Sequence, residues 1–217
     1  MIALIFDTET TNLPPRNCNK WETMLLKFPN IIQFSFILFD QDKCKILESH
    51  DYIIKVPVDT DISEGSIKLH GITMEISQSK GILIKDALKI FEKCYKQADV
   101  IVAHNLEFDK KMVQVESLRA EMATIIDEKH DKEFYCTMQN SIELCNIIAT
   151  NMLGPYKKFP RQNELHMKLF GTEPKNLHNS FNDILVCLRC YIKMKMDRDV
   201  TEKNAKLKKM FLTLLQV

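Results

Sequence analysis

The hydrophobic pattern opens with Ile2-Ala3-Leu4-Ile5-Phe6, which runs straight into Asp7-Thr8-Glu9. A continuous short apolar run predicts a central buried strand over 2–7. Residues 8–30 contain Pro14, Pro15 and Pro29 and are expected to be irregular. Ile32, Phe34, Phe36 and Leu38 then alternate with Gln33 and Ser35, the period of a strand with one buried face. Asp40-Gln41-Asp42-Lys43 reads as a hairpin turn into a returning strand over 46–56.

From about residue 63 the pattern becomes helical, with Gly65, Gly71 and Gly81 as punctuation. Ile84, Leu88, Phe91 and Tyr95 predict a helix over 84–97. A buried strand is expected at 99–103, followed by a helix over 106–122. Further helices are expected over 138–149, in a short segment ending at Gly171, over 179–196 and over 201–215, with a loop at 154–162. Strands first, then strand alternating with helix, indicate an α/β chain with a mixed sheet flanked by helices.

The chain has 217 residues, 45% hydrophobic and 27% charged, which suits one globular domain with a substantial core. Its apolar runs are far shorter than a membrane span, so no membrane association is expected. The first residues lack the layout of a signal peptide, and the seven cysteines follow no disulfide framework. Both features fit an intracellular, reducing compartment, cytoplasmic or nuclear. A net charge of +1 makes no global case for a polyanionic partner, so such a reading must rest on local residues.

Asp7 and Glu9 are i and i+2, so on a strand they share a face, roughly 6.5–7 Å apart along the chain. Two carboxylates beside a buried strand repel each other and lose hydration, which calls for a compensating cation. Taken alone, the pair could be an acidic turn. A second site is His104-Asn105-Leu106-Glu107-Phe108-Asp109, where strand gives way to helix. Asn105 could simply cap that helix and Asp109 favour its positive end. A third is His178-Asn179-Ser180-Phe181-Asn182-Asp183. With Asn179 as N-cap, His178 lies outside the helix and Asp183 one turn inside, so both can face one cleft. Four carboxylates and a histidine, all at strand or helix ends, favour a hard divalent cation such as Mg²⁺ or Mn²⁺. Two such ions can serve a phosphoryl transfer, with an imidazole taking the proton of the attacking water at neutral pH.

Phe-Asp-Thr-Glu-Thr-Thr-Asn-Leu, Ala-His-Asn-x-x-Phe-Asp and His-x-x-x-x-Asp occur here in order. Together they resemble the three motifs of the DEDDh exonucleases, nearest to epsilon-like, DnaQ-like proofreading subunits. Leu69-His70-Gly71-Ile72-Thr73-Met74-Glu75 extends the likeness, which covers roughly residues 2–195. The resemblance implies a ribonuclease H-like mixed central sheet of about five strands and release of nucleoside 5′-monophosphates from a 3′ end. It implies an exonuclease domain over 1–198, with 199–217 as a C-terminal helix that packs back or contacts a partner. It assigns Asp7, Glu9 and Asp183 as direct ligands of two divalent ions, Mg²⁺ with Mn²⁺ as substitute. Asp109 would support the second ion, and His178 would be the general base. Thr10, Leu13, His70, Asn105 and Phe108 match positions expected to touch the terminal nucleotides. Single-stranded or frayed DNA is the favoured polymer and RNA the alternative; a non-catalytic binding module of the same fold is a third reading.

Two positions depart from the pattern. Asn12 stands where the family usually has Gly, and is expected to take a positive-φ turn. Ser180 stands where Ala is usual. Cys187-Leu-Arg-Cys190 has zinc-like spacing but is expected to pack inside an apolar helix. Tyr156-Lys157-Lys158-Phe159-Pro160-Arg161 could hold a nucleic-acid backbone or be a solvated basic loop. Leu207, Met210, Phe211, Leu214 and Leu215 form one helical stripe, expected to pack on the domain or to dock a polymerase or a second copy of the chain.

Overall fold

The computed structural model of the protein describes residues 1–15, 18, 20–126 and 132–215. The first half contains β1 (Ile2–Thr10), α1 (Trp21–Lys27), β2 (Ile31–Asp40), β3 (Lys45–Ile53), α2 (Glu64–His70), α3 (Met74–Lys80) and α4 (Ile84–Gln97). Next come β4 (Val100–Ala103), α5 (Leu106–Arg119), β5 (Glu133–Cys136) and two single turns, α6 (Thr137–Asn140) and α7 (Ile142–Cys145). The chain continues with β6 (Ile148–Asn151), β7 (Gly154–Lys157), α8 (Gln162–Phe170), α9 (Ser180–Met196), α10 (Val200–Lys203) and α11 (Ala205–Met210), ending in a π-helical turn over Phe211–Leu215.

Five strands form the main sheet in the order β3-β2-β1-β4-β5. β1 pairs antiparallel with β2, and β2 with β3, whereas β1, β4 and β5 run parallel. This is the ribonuclease H-like mixed sheet that the motifs implied, with the carboxylate-bearing strand at its centre.

The two faces of β1 serve different layers. Leu4 and Phe6 enter a core with Phe34, Phe36, Leu88, Phe91 and Val113, where the Phe6 and Phe91 rings lie 5.2 Å apart. Ala3 and Ile5 pack with Ile37, Ile184, Leu188 and Tyr191 beneath α9. Strand alternation then puts Asp7 and Glu9 on the α9 side and Thr8 on the α5 side. Each fully buried Leu, Ile or Phe stabilises the fold by about 1.5–3 kcal/mol, and these contacts hold the acidic end of β1 in place.

Several expectations about elements are corrected. β2 is buried on both faces, not one, because α9 covers Gln33 and Ser35. These two polar side chains keep their hydrogen bonds: both donate to Asp51 at 2.8 Å, and Gln33 Oε1 accepts from the Ser180 amide at 3.2 Å. The Ser180 hydroxyl also meets the Ser35 hydroxyl. A buried polar pair on β2 therefore explains a hydroxyl where alanine is usual.

The 8–30 segment contains a helix, α1, that its flanking prolines conceal. Met24 and Phe28 are buried from it, packed in the same core as Met112 and Val113 of α5. The predicted helix over 138–149 is two short turns followed by the unpredicted hairpin β6–β7, which replaces the first half of the 154–162 loop. The predicted helix over 201–215 breaks at Asn204, whose side chain caps the Leu207 amide and donates to the Cys44 carbonyl at 2.9 Å. Val200, Leu207, Phe211 and Leu215 are buried in the α9 core. Cys187 and Cys190 are buried there as well.

Gly81 has a close-approach role. A Cβ there would run into the backbone of Ser77, Lys55 and Ile54, where Lys55 N donates to Ile82 O at 2.8 Å. Gly81→Ala is expected to destabilise the chain by about 3 kcal/mol by overpacking. Gly65→Ala, which meets only Ser63 Oγ at 3.9 Å inside α2, should be neutral or stabilising by up to about 1 kcal/mol. Urea denaturation of the two variants checks this contrast.

Candidate active site

Asp7, Glu9 and Asp183 converge although they lie on β1 and α9. One carboxylate oxygen from each falls within 4.8 Å of the others. Asp183 reaches this point because Asn179 is the N-cap of α9, its side chain accepting from the Asn182 amide at 3.3 Å. His178 then lies outside the helix and Asp183 in its first turn, as the spacing predicted. The His178 amide donates to Asp183 Oδ2 at 3.1 Å, and Gln162 Nε2 donates to the Asp183 carbonyl.

His178 has φ of 68°, a left-handed conformation costly for a residue with a side chain. That backbone turn directs the amide at Asp183 while the residue stays exposed. Of the two histidines lining the cleft, His104 has both ring nitrogens engaged. Nδ1 lies 2.9 Å from Thr137 Oγ1 and Nε2 lies 3.2 Å from the Pro160 carbonyl. Burial pushes the His104 imidazole down to about 4, so it is neutral at pH 7 and works as a brace.

Asp109 lies in the first turn of α5 and is buried. Thr8 holds it: the Thr8 amide and hydroxyl donate to Asp109 Oδ1 at 2.9 and 2.8 Å. Asp109 lines the same cleft as the other three carboxylates without joining their close group. Thr8 escaped sequence reasoning; the only signal for it is its place between Asp7 and Glu9, facing the opposite layer.

The cleft that these residues line has a volume of about 730 Å³. Besides the carboxylates, the walls include Leu13, Asn105, Phe108, Arg161 and Leu177. Leu13 is 81% exposed, an apolar side chain standing free at the rim. Asn105 occupies the N-cap position of α5 with φ of 74° and makes no side-chain cap, contrary to its capping reading. Thr10 and His70 are placed outside the cleft lining. Thr10 is buried and donates to the Asn12 carbonyl at 2.7 Å, and His70 Nδ1 accepts from the Ile72 amide at 3.0 Å.

Asn12 is a correction: it does not adopt a positive φ, and its side chain instead closes the turn by accepting from the Leu13 amide at 2.8 Å. In the basic stretch, Lys157 pairs with Glu143 and Lys158 with Glu164, whereas Arg161 reaches the cleft wall.

The electrostatics of the cluster are unfavourable without a cation. Burial, with the charges of Asp109, Asp183 and Glu9, holds the Asp7 carboxyl well above the carboxylate range. Burial raises Glu9 to about 7. Burial raises Asp109 to about 8 against the two Thr8 hydrogen bonds. Asp183 also rises to about 8, through burial and then the Glu9 charge. Clustered, partly buried, all-oxygen donors of one sign fit hard divalent cations.

A family model described as "Exonuclease" matches residues 4–191. Among solved structures, E. coli exonuclease I with a dT13 oligonucleotide is similar, with a TM-score of 0.65 and 18% identity over 91% of this chain and 42% of that one. The same enzyme with a dA16 oligonucleotide gives 0.64 and 17% over 97% of this chain and 43% of that one. This chain thus spans less than half the length of those it matches. A comparison with curated proteins found no match.

The raised carboxyl values set a pH dependence for the protein kept free of metal. Each acid binds its proton more tightly folded than unfolded, so folding is favoured below about pH 4 and that advantage is lost as pH rises through about 7–8. In EDTA the Tm is expected to fall from pH 5 to pH 8.5, and Mg²⁺ should raise it more at pH 8.5 than at pH 5. Asp7→Asn should flatten the profile. A scanning-fluorimetry series at fixed ionic strength checks this.

Proposed function

We propose that this chain, which belongs to the exonuclease family, is a DEDDh-type enzyme that hydrolyses terminal phosphodiesters from the 3′ end of single-stranded or frayed DNA. The reading is carried by the convergence of Asp7, Glu9 and Asp183 within 4.8 Å, beside Asp109 and an exposed His178. Asp7, Glu9 and Asp183 would hold two divalent ions, with Asp109 supporting the second. When bound, such ions neutralise phosphate charge and lower the pKa of a nucleophilic water.

The remaining roles belong to side chains. His178 would accept the proton of the attacking water; its exposure leaves the ring free to meet solvent and substrate, which His104 is not. Thr8 would keep Asp109 aimed into the cleft by two hydrogen bonds. Leu13 and Phe108 would flank the terminal base, a contact that tolerates any sequence because every base has an apolar face. Arg161 would meet a backbone phosphate. E. coli exonuclease I, similar in fold, was solved with dT13 and dA16, which supports single-stranded DNA as the first polymer to test.

The test is a time course on 5′-labelled single-stranded DNA and a matched RNA, with Mg²⁺ and then Mn²⁺. The wild type should shorten DNA stepwise from the 3′ end. His178→Ala should slow it by about 10²–10⁴-fold, and Asp7→Asn should reduce it to background. Undiminished cleavage by either folded variant would overturn the assignment, and faster turnover of RNA would reassign the sugar.

A further inference from the structure

A second convergence of metal-ligating side chains lies away from the cleft, between the edge strand β3 and α4. Glu48 and His50 are i and i+2 on β3, on the face turned to α4, and Cys94 comes from that helix. Glu48 Oε2 lies 3.1 Å from His50 Nε2 and 3.7 Å from Cys94 Sγ, and all three ligand atoms fall within 4.8 Å of one another. We propose that Glu48, His50 and Cys94 form a binding site for a zinc-class divalent ion, separate from the all-oxygen cluster at Asp7.

Three observations carry this. The first is spacing: zinc bonded at about 2.0–2.2 Å to nitrogen and oxygen and about 2.3 Å to sulfur sets tetrahedral ligand–ligand edges of about 3.3–3.7 Å. The two contacts made by Glu48, 3.1 and 3.7 Å, lie near those edges, and the third ligand pair falls within 4.8 Å. The second is donor chemistry, since one thiol, one imidazole and one carboxylate suit zinc and are wrong for Mg²⁺.

The third is support around the ligands. Tyr52 Oη lies 2.9 Å from His50 Nδ1, and the Phe36 ring packs 4.8 Å from the imidazole, which together leave Nε2 for the cluster. Outer hydrogen-bond partners of this kind fix the ring of a metal-bound histidine. Cys94 is fully buried, whereas the side chains of Glu48 and His50 are 41% and 20% exposed. The site is thus closed on the helix side and open toward solvent, where a water would complete four ligands. Burial and the neighbouring Glu48 push the Cys94 thiol up to about 12, so loading breaks its S–H bond, forms a metal–sulfur bond and releases one proton to solvent. Such an ion would clip the edge strand to α4.

The test uses the full chain carrying Asp7→Asn, which disables the oxygen cluster, titrated with Co²⁺ as a spectroscopic probe and then with Zn²⁺. One equivalent of Co²⁺ should give the d–d bands of a tetrahedral site and a thiolate charge-transfer band, both abolished by stoichiometric Zn²⁺. Cys94→Ser should remove the charge-transfer band, His50→Gln should weaken binding at least about tenfold, and Tyr52→Phe should weaken it by about tenfold while keeping the band. Circular dichroism confirms that each variant is folded. Nuclease activity in Mg²⁺ should be unchanged by Cys94→Ser alone. Absence of the charge-transfer band, or its persistence in folded Cys94→Ser, would overturn the proposal whatever the outcome at the cleft.

Discussion

The constraint on which the structure depends is the forced proximity of half-buried carboxylates at the end of its central strand. Asp7 feels three neighbouring acids as well as burial, and each of those influences opposes its ionisation. The fold keeps the acids together because the same strand carries Ala3, Leu4, Ile5 and Phe6, all fully buried, into two cores. Packing on both faces of β1 outweighs an arrangement that electrostatics alone would push apart. Strain at His178 belongs to the same bargain: a left-handed residue turns the chain so that its amide meets Asp183.

Each acid is held by a different device, which matters for positioning. Glu9 and Asp7 need only strand alternation. Asp183 needs the Asn179 cap that starts α9 between it and His178. Asp109 needs Thr8, which reaches across from the central strand to the first turn of α5. His104 and Gln162 then tie the loop before α8 to the cleft, so Arg161 stands at its wall.

The sheet and the carboxylates were legible in the sequence because both depend on short-range spacing. The i, i+2 pair on a strand, the cap before Asp183 and the 84–97 helix need nothing beyond local geometry. What escaped depends on contacts distant in sequence. Nothing near Gln33 and Ser35 reveals that α9 will cover them, 147 and 145 residues away. Helix α1 is hidden between prolines because its helical identity comes from burying Met24 and Phe28 in the same core as Met112 and Val113. The hairpin β6–β7 lacks an alternating apolar face, so no period announces it. Thr10 and His70 matched a motif, and neither is among the residues that line the cleft.

If the acid cluster holds divalent cations, direct binding reports it more closely than any rate. Mn²⁺ titrated into metal-free wild type and followed by calorimetry should show two ions per chain, with binding lost in Asp7→Asn and in Asp183→Asn while both variants remain folded. Equal Mn²⁺ binding by wild type and Asp7→Asn would show that these carboxylates do not hold the ions.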